Sequence, residues 1–168
     1  MNIIVNDASC LIDLRKAGLL QYFLALPYRF IVPLPIREEE LLDFTTDEWA
    51  SLEAAGLQSH DLPGEHVAQA VALRRTHKGL SANDCFALVT SENQENSILL
   101  TGDRLLRRVA QGRAVRVHGV LWVYDQLVEH ALCPSNQLLF ALETWSSDAS
   151  VFLPRGMLSE RIRALQQG

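Results

Sequence analysis

Three short runs in this chain, Ile3-Ile4-Val5, Phe30-Ile31-Val32 and Ile98-Leu99-Leu100, are apolar at every position. A strand with one wet face alternates polar and apolar residues, whereas an unbroken apolar run of this length is the pattern of a strand covered on both faces, as in a parallel sheet. Val115-Arg116-Val117 is a fourth, interrupted run, and a weak strand from Leu57 to Asp61 is diluted by Gln58, Ser59 and His60. Helical stretches separate them. Leu11, Leu14, Gly18 and Tyr22 share one side of a first helix; Val67, Ala70, Val71 and Arg74 mark a second that Pro63 opens; Ala87, Leu88 and Val89 lie in a third beginning near Ser81. The alternation predicts an α/β fold, doubly wound, with a mainly parallel sheet flanked by helices through right-handed crossovers.

Four acidic motifs stand where such strands end or helices begin: Asp7 after Ile3-Ile4-Val5-Asn6, the run Glu38-Glu39-Glu40, Asp84 after Leu80-Ser81-Ala82-Asn83, and Asp103 after Leu99-Leu100-Thr101-Gly102. Ligands in doubly wound folds bind beyond the carboxyl ends of the strands. Two carboxylates about 4 Å apart near a surface repel by roughly 4 kcal/mol, so several that converge call for a cation among them. The five histidines and three cysteines form no C-x-x-C or H-E-x-x-H pattern, which excludes a recognisable zinc site; hard oxygen donors favour magnesium or manganese.

Each acid alone has an ordinary explanation. Asp7 or Ser9 can cap the first helix, Ser81 to Asp84 reads as a capping box, and Asp103 can be an N-cap before Arg104. Among the three glutamates, Glu40 precedes the apolar pair Leu41-Leu42 and Glu39 competes with it. Asp13, Asp43, Asp61 and Asp125 read as surface charges or caps, although Asp125 lies on a helix within reach of the pocket. Thr101 either ends a strand or orients a ligand.

The net charge of −5 runs against nucleic-acid binding until its distribution is considered. Nine acids and no Lys or Arg lie between Glu38 and Glu65, whereas Arg104 to Arg116 holds five arginines and no acid. Arg104, Arg107 and Arg108 share one face of a helix starting at Asp103, setting a basic stripe beside the acids. The alternative is a solvated helix face.

Taken together, Val5 to Ile12, Glu40-Leu41-Leu42, Leu80 to Leu88 and Leu99 to Arg107 resemble the ordered motifs of PIN-domain ribonucleases, including VapC-type toxins. Gly119-Val120-Leu121-Trp122 is similar to the segment after the last strand in chromosomal PIN proteins. The resemblance implies a PIN-like nuclease domain over residues 1–132, with residues 133–168 as a helical C-terminal extension packed on the same domain. It implies metal-dependent hydrolysis of RNA phosphodiesters, with Asp7, Glu40, Asp84 and Asp103 as catalytic, metal-binding acids, Thr101 close to a Mg2+ or Mn2+ ion, and Arg104, Arg107 and Arg108 against the RNA. A small antitoxin protein and a homodimer are further implied partners.

The tail is expected to be helical at Leu121 to Leu132, Gln137 to Trp145 and Leu158 to Leu165, punctuated by Pro134 and Pro154. No window of eighteen apolar residues and no basic leader occur, so a cytoplasmic protein with no membrane contact and reduced cysteines is expected. Two rivals remain. A phosphatase of the haloacid-dehalogenase type would also place Asp7 after its first strand but would need an acid at Ser9. A PIN-like module that binds RNA or protein without turnover would keep the fold and not need intact acids.

Overall fold

The computed structural model describes residues 1–168. Five strands, β1 (Ile3–Asn6), β2 (Arg29–Pro33), β3 (Leu57–His60), β4 (Ser97–Leu100) and β5 (Val117–His118), form one sheet in the order β3-β2-β1-β4-β5. Every neighbouring pair is parallel. The three apolar runs occupy the central strands, where Ile4, Val5, Val32, Leu99 and Leu100 are wholly buried, as cover on both faces requires. The weak run becomes the edge strand β3, whose Gln58 and Ser59 face solvent.

Val115-Arg116-Val117 is not itself the last strand. Ala114 takes a φ of +61° behind α7 (Arg104–Gly112), and β5 begins only at Val117; Arg116 joins the ladder through its carbonyl, which accepts from the Leu99 N–H at 2.9 Å. The chain steps outward from β1 through β2 to β3, then returns to add β4 and β5 on the other side of β1. Strand order therefore reverses between β1 and β4, the place where such sheets open a crevice.

The first expected helix is two. Helix α1 (Ala8–Lys16) stops at Gly18, which has a φ of +67° that a side chain would disfavour. The Gly18 N–H donates to Arg15 O at 3.1 Å and the Leu19 N–H to Leu14 O at 2.9 Å, while Leu14 and Leu19 are both wholly buried; this is a Schellman stop with its apolar clasp. Tyr22 belongs to the separate helix α2 (Leu20–Leu24).

Helix α3 (Leu34–Glu39) follows β2, and α4 (Thr46–Ala54) follows it unannounced by apolar periodicity. Its start was nonetheless written in the chain. The Thr45 hydroxyl accepts from the Glu48 N–H and Glu48 accepts from the Thr45 N–H, a reciprocal capping box, and Trp49 and Leu52 bury the inner face. On α5 (Gly64–Thr76) the buried residues are Ala70 and Leu73, whereas Val67 and Val71 stay exposed, so its inner face is turned from the one expected. Helix α6 (Ala82–Glu92) lies across β1, β2 and β4 with α5 behind it.

Beyond β5, α8 (Val120–Glu129) and α9 (Ser135–Ser147) pack on α1, and α10 (Arg155–Gln167) packs on α9. Polar bonds register them: Trp145 Nε1 donates to Asp13 O at 2.9 Å and Gln137 Nε2 to Ala17 O at 2.9 Å. Leu138, Leu142, Trp145, Val151 and Leu158 join the same continuous core as the sheet. Cys10, Cys85 and Cys133 are all free thiols. No helix is long and apolar enough to cross a membrane.

Candidate active site

Asp7 leaves the carboxyl end of β1, its N–H donating to Leu100 O of β4 at 3.0 Å, and its side chain is only 4% exposed. It stands at the N-cap position of α1 but its carboxylate makes no cap bond. Instead Oδ2 accepts from the Thr101 hydroxyl at 2.7 Å and the Ser9 hydroxyl at 3.2 Å. Both donors are themselves tied to the loop after β4: Thr101 Oγ1 accepts from the Asp103 N–H at 3.1 Å, and Ser9 Oγ from the Gly102 N–H at 3.0 Å. Thr101 thus orients the acid as well as ending the strand. Ser9 does not cap the helix either; it clamps Asp7 to the far side of the crevice.

Asp84 and Asp103 do serve as caps. Ser81 Oγ accepts from the Asp84 N–H at 3.0 Å while Asp84 Oδ2 accepts from the Ser81 N–H at 2.9 Å, and Asp103 Oδ1 accepts from the Leu106 N–H at 2.8 Å. Each cap occupies one carboxylate oxygen. Capping and cation binding are therefore compatible, because the second oxygen takes no part in the cap.

The electrostatics tie the acids together. Burial pushes Asp7 up to about 6; the Thr101 hydrogen bond pulls it back, and the charge on Asp84 raises it again. Asp84 is also raised, chiefly by desolvation, with its Ser81 bonds opposing and Asp103 adding. Glu40 is lifted by desolvation and then by Asp7 and Asp84.

The glutamates lie at the end of α3, which closes at Glu39, leaving Glu40 as its C-cap. All three are solvent-exposed, and of the expected apolar pair only Leu41 is buried while Leu42 is 74% exposed, so that pair does not pin Glu40 inward. Glu39 Oε2 accepts from Asn83 Nδ2 at 3.2 Å. Glu38 makes no side-chain hydrogen bond or ion pair. Asn83 is itself 7% exposed, and its Oδ1 is buried without a partner.

No three acidic, histidine or cysteine side chains close into a ready cage for a metal ion. The donor chemistry nevertheless fits a hard divalent cation. It consists of oxygen atoms, with the buried Asn83 carbonyl lacking a partner, and a cation would favour the ionised form of Asp7, which burial and the charge on Asp84 oppose.

From Thr101 and Asp103 a groove of about 800 Å³ runs past Arg104, Arg107, His118 and Trp122 to residues 150–161. Arg107 is half-buried, and Gly119 leaves it room: a Cβ there would lie 3.4 Å from Nη2. Neither Arg104 nor Arg107 is paired with a carboxylate. Arg108 is exposed and lies outside the groove, so the three arginines do not form one stripe against it. Burial, Arg107 and Arg116 hold His118 below its usual range, and its ring stacks on Trp122 with centroids 4.5 Å apart. Asp125 does approach the groove, held by Arg161 through two bonds of 2.9 and 2.8 Å.

The protein-family model described as "DUF3368: PIN domain" matches residues 3–167, a span that runs from β1 through α9 and α10. No curated protein matches the chain significantly.

Proposed function

The chain belongs to the PIN-domain family, whose members are in general nucleases, and from that premise we propose that it is a divalent-metal-dependent endoribonuclease hydrolysing RNA phosphodiester bonds. The observation that carries the proposal is Asp7. A buried aspartate held by the Thr101 hydroxyl of the neighbouring strand and the Ser9 hydroxyl of its own helix, and raised to about 6 beside other acids, is a costly arrangement for a merely structural residue.

Asp7, Asp84, Asp103 and Glu40 would hold the ion, magnesium or manganese by their oxygen chemistry. When bound, such an ion polarises the scissile phosphate and lowers the pKa of an attacking water. Thr101 and Ser9 hold the Asp7 carboxylate in one orientation. The caps at Asp84 and Asp103 fix those side chains on two helix N-termini without using both oxygens. Arg104 and Arg107 draw the RNA backbone along the groove, a contact that sets position without reading sequence.

The resemblance to VapC-type toxins extends the proposal to a cytoplasmic toxin whose acidic pocket is covered by a small antitoxin and which pairs as a homodimer. The defining experiment is cleavage of a mixed RNA pool by purified protein with magnesium or manganese, beside the Asp84→Asn form. Metal-dependent cleavage by wild type and none by the variant supports the reading; equal cleavage by both, or none by either, refutes it. An adjacent reading frame whose product binds and inhibits the protein would support the toxin role.

A further inference from the structure

The groove that leaves the acidic crevice has a second wall, and the segment from Ser150 to Arg161 supplies it. This wall is built to stay put. Lys16 Nζ lies 3.1 Å from Asp148 Oδ2 and donates to Ser150 Oγ at 2.9 Å; Asp148 Oδ1 accepts from both the Ser150 N–H and its hydroxyl. Val151 is buried on one side of the next residue and Leu158 beyond it, while Arg161 clasps Asp125 of α8. Between these anchors Phe152 is turned out, 78% exposed, and lines the groove.

A phenyl ring held in water on a pinned loop loses the burial that a Phe ordinarily gains. The same groove is lined by the two unpaired guanidinium groups of Arg104 and Arg107. Unpaired cations and an exposed ring in one groove form the pairing by which single strands are held: phosphates follow the charge, and an unstacked base lies on the ring. A duplex keeps its bases stacked inside and offers no such face.

We propose that Phe152 is a base-stacking platform and that the 150–161 wall makes this groove a subsite for single-stranded RNA leading into the acidic crevice. The proposal rests on the nuclease reading and adds to it an RNA-holding residue outside the acidic motifs. The favoured occupant is RNA rather than a protein segment because the ring shares its groove with the unpaired Arg104 and Arg107 and the groove is continuous with Asp103.

The test is fluorescence anisotropy of a labelled oligouridylate, a matched abasic strand and a matched RNA duplex, in chelator so that no cleavage occurs. Phe152→Ala should weaken binding of the oligouridylate about tenfold and leave the abasic strand and the duplex unchanged, with Phe152→Tyr restoring affinity. Because the ring is exposed, the melting temperature of the variant should equal that of wild type. Equal affinities of wild type and Phe152→Ala for oligouridylate, with wild type cleaving RNA, would overturn the platform alone. Wild type that neither binds nor cleaves RNA would remove the nuclease reading and the platform with it. A loss of self-association in Phe152→Ala with RNA affinity intact would assign the ring to a contact between copies and likewise overturn the proposal.

Discussion

Thr101, wholly buried at the end of β4, donates its hydroxyl to Asp7 Oδ2 of the neighbouring strand across 2.7 Å. The bond favours the ionised acid, and hydrogen bonds to charged groups are worth about 1.5–3 kcal/mol. Thr101→Val should therefore raise Asp7 further and move the acidic limb of the pH–rate profile up by about one unit. Thr101→Ser should keep it in place. An unmoved limb in Thr101→Val would show that the bond does not govern Asp7.

Stability without metal should depend on pH through Asp7. Its folded value of about 6 lies above the 3.8 of the unfolded chain, so the folded state retains the proton in the window between them. The stabilisation is complete below about pH 3.8 and is lost as pH rises through 6, a cost of about 3 kcal/mol. In chelator, wild type should thus melt higher relative to Asp7→Asn at pH 5 than at pH 7.5. Asp13, also pushed up to about 6 mainly by burial, slopes the same way in both proteins and cancels in the comparison. A constant difference across this range would contradict the assignment.

Asp84→Asn and Asp103→Asn should abolish metal-dependent cleavage while changing the melting temperature little, since an asparagine oxygen still accepts the capping N–H. The Ala variants should lose about 1 kcal/mol in addition. Thermal melts with and without magnesium separate the roles, because an ion at about 100 times its dissociation constant adds roughly 2.7 kcal/mol to wild type. Full cleavage in both Asn variants would leave these acids as caps only.

Glu40→Gln should impair cleavage more than Glu38→Gln. Glu40 is raised by burial and then by Asp7 and Asp84, and Glu38 makes no side-chain bond. If Glu39→Gln is the damaging change, the role passes to the residue that Asn83 holds at 3.2 Å.

Arg104→Ala and Arg107→Ala should each weaken RNA binding across sequences and lower the slope of log affinity against log salt by about 1, whereas Arg108→Ala should not. The same loss in Arg108→Ala would place the RNA outside the groove.

The sheet was legible because unbroken apolar runs have few other homes. β5 was not, because Ala114, just ahead of the run, delays the strand by a backbone turn that an alanine does not advertise. The division of α1 from α2 was carried by Gly18, which periodicity alone reads through. Helix α4 was marked by Thr45 and Glu48 rather than by any apolar stripe. At the site, strand ends and helix starts singled out Asp7, Asp84 and Asp103, but a linear chain does not show that Ser9 and Thr101 converge on one oxygen. Nor does it show Asn83 buried beside Glu39, or Phe152 lining one groove with Arg104 and Arg107.

The parallel order of the sheet also sets a timetable. Asp7 and the Thr101 hydroxyl that orients it are 94 positions apart, so at translation rates of about 5–20 residues per second the acid waits on the order of 5–20 s for its partner to be made. For most of that interval β1 has no β4 beside it and Asp84 is still unmade, and Asp103 follows only after Thr101. A growing chain still tethered among ribosomal RNA therefore carries the first acid of the crevice without the crevice itself.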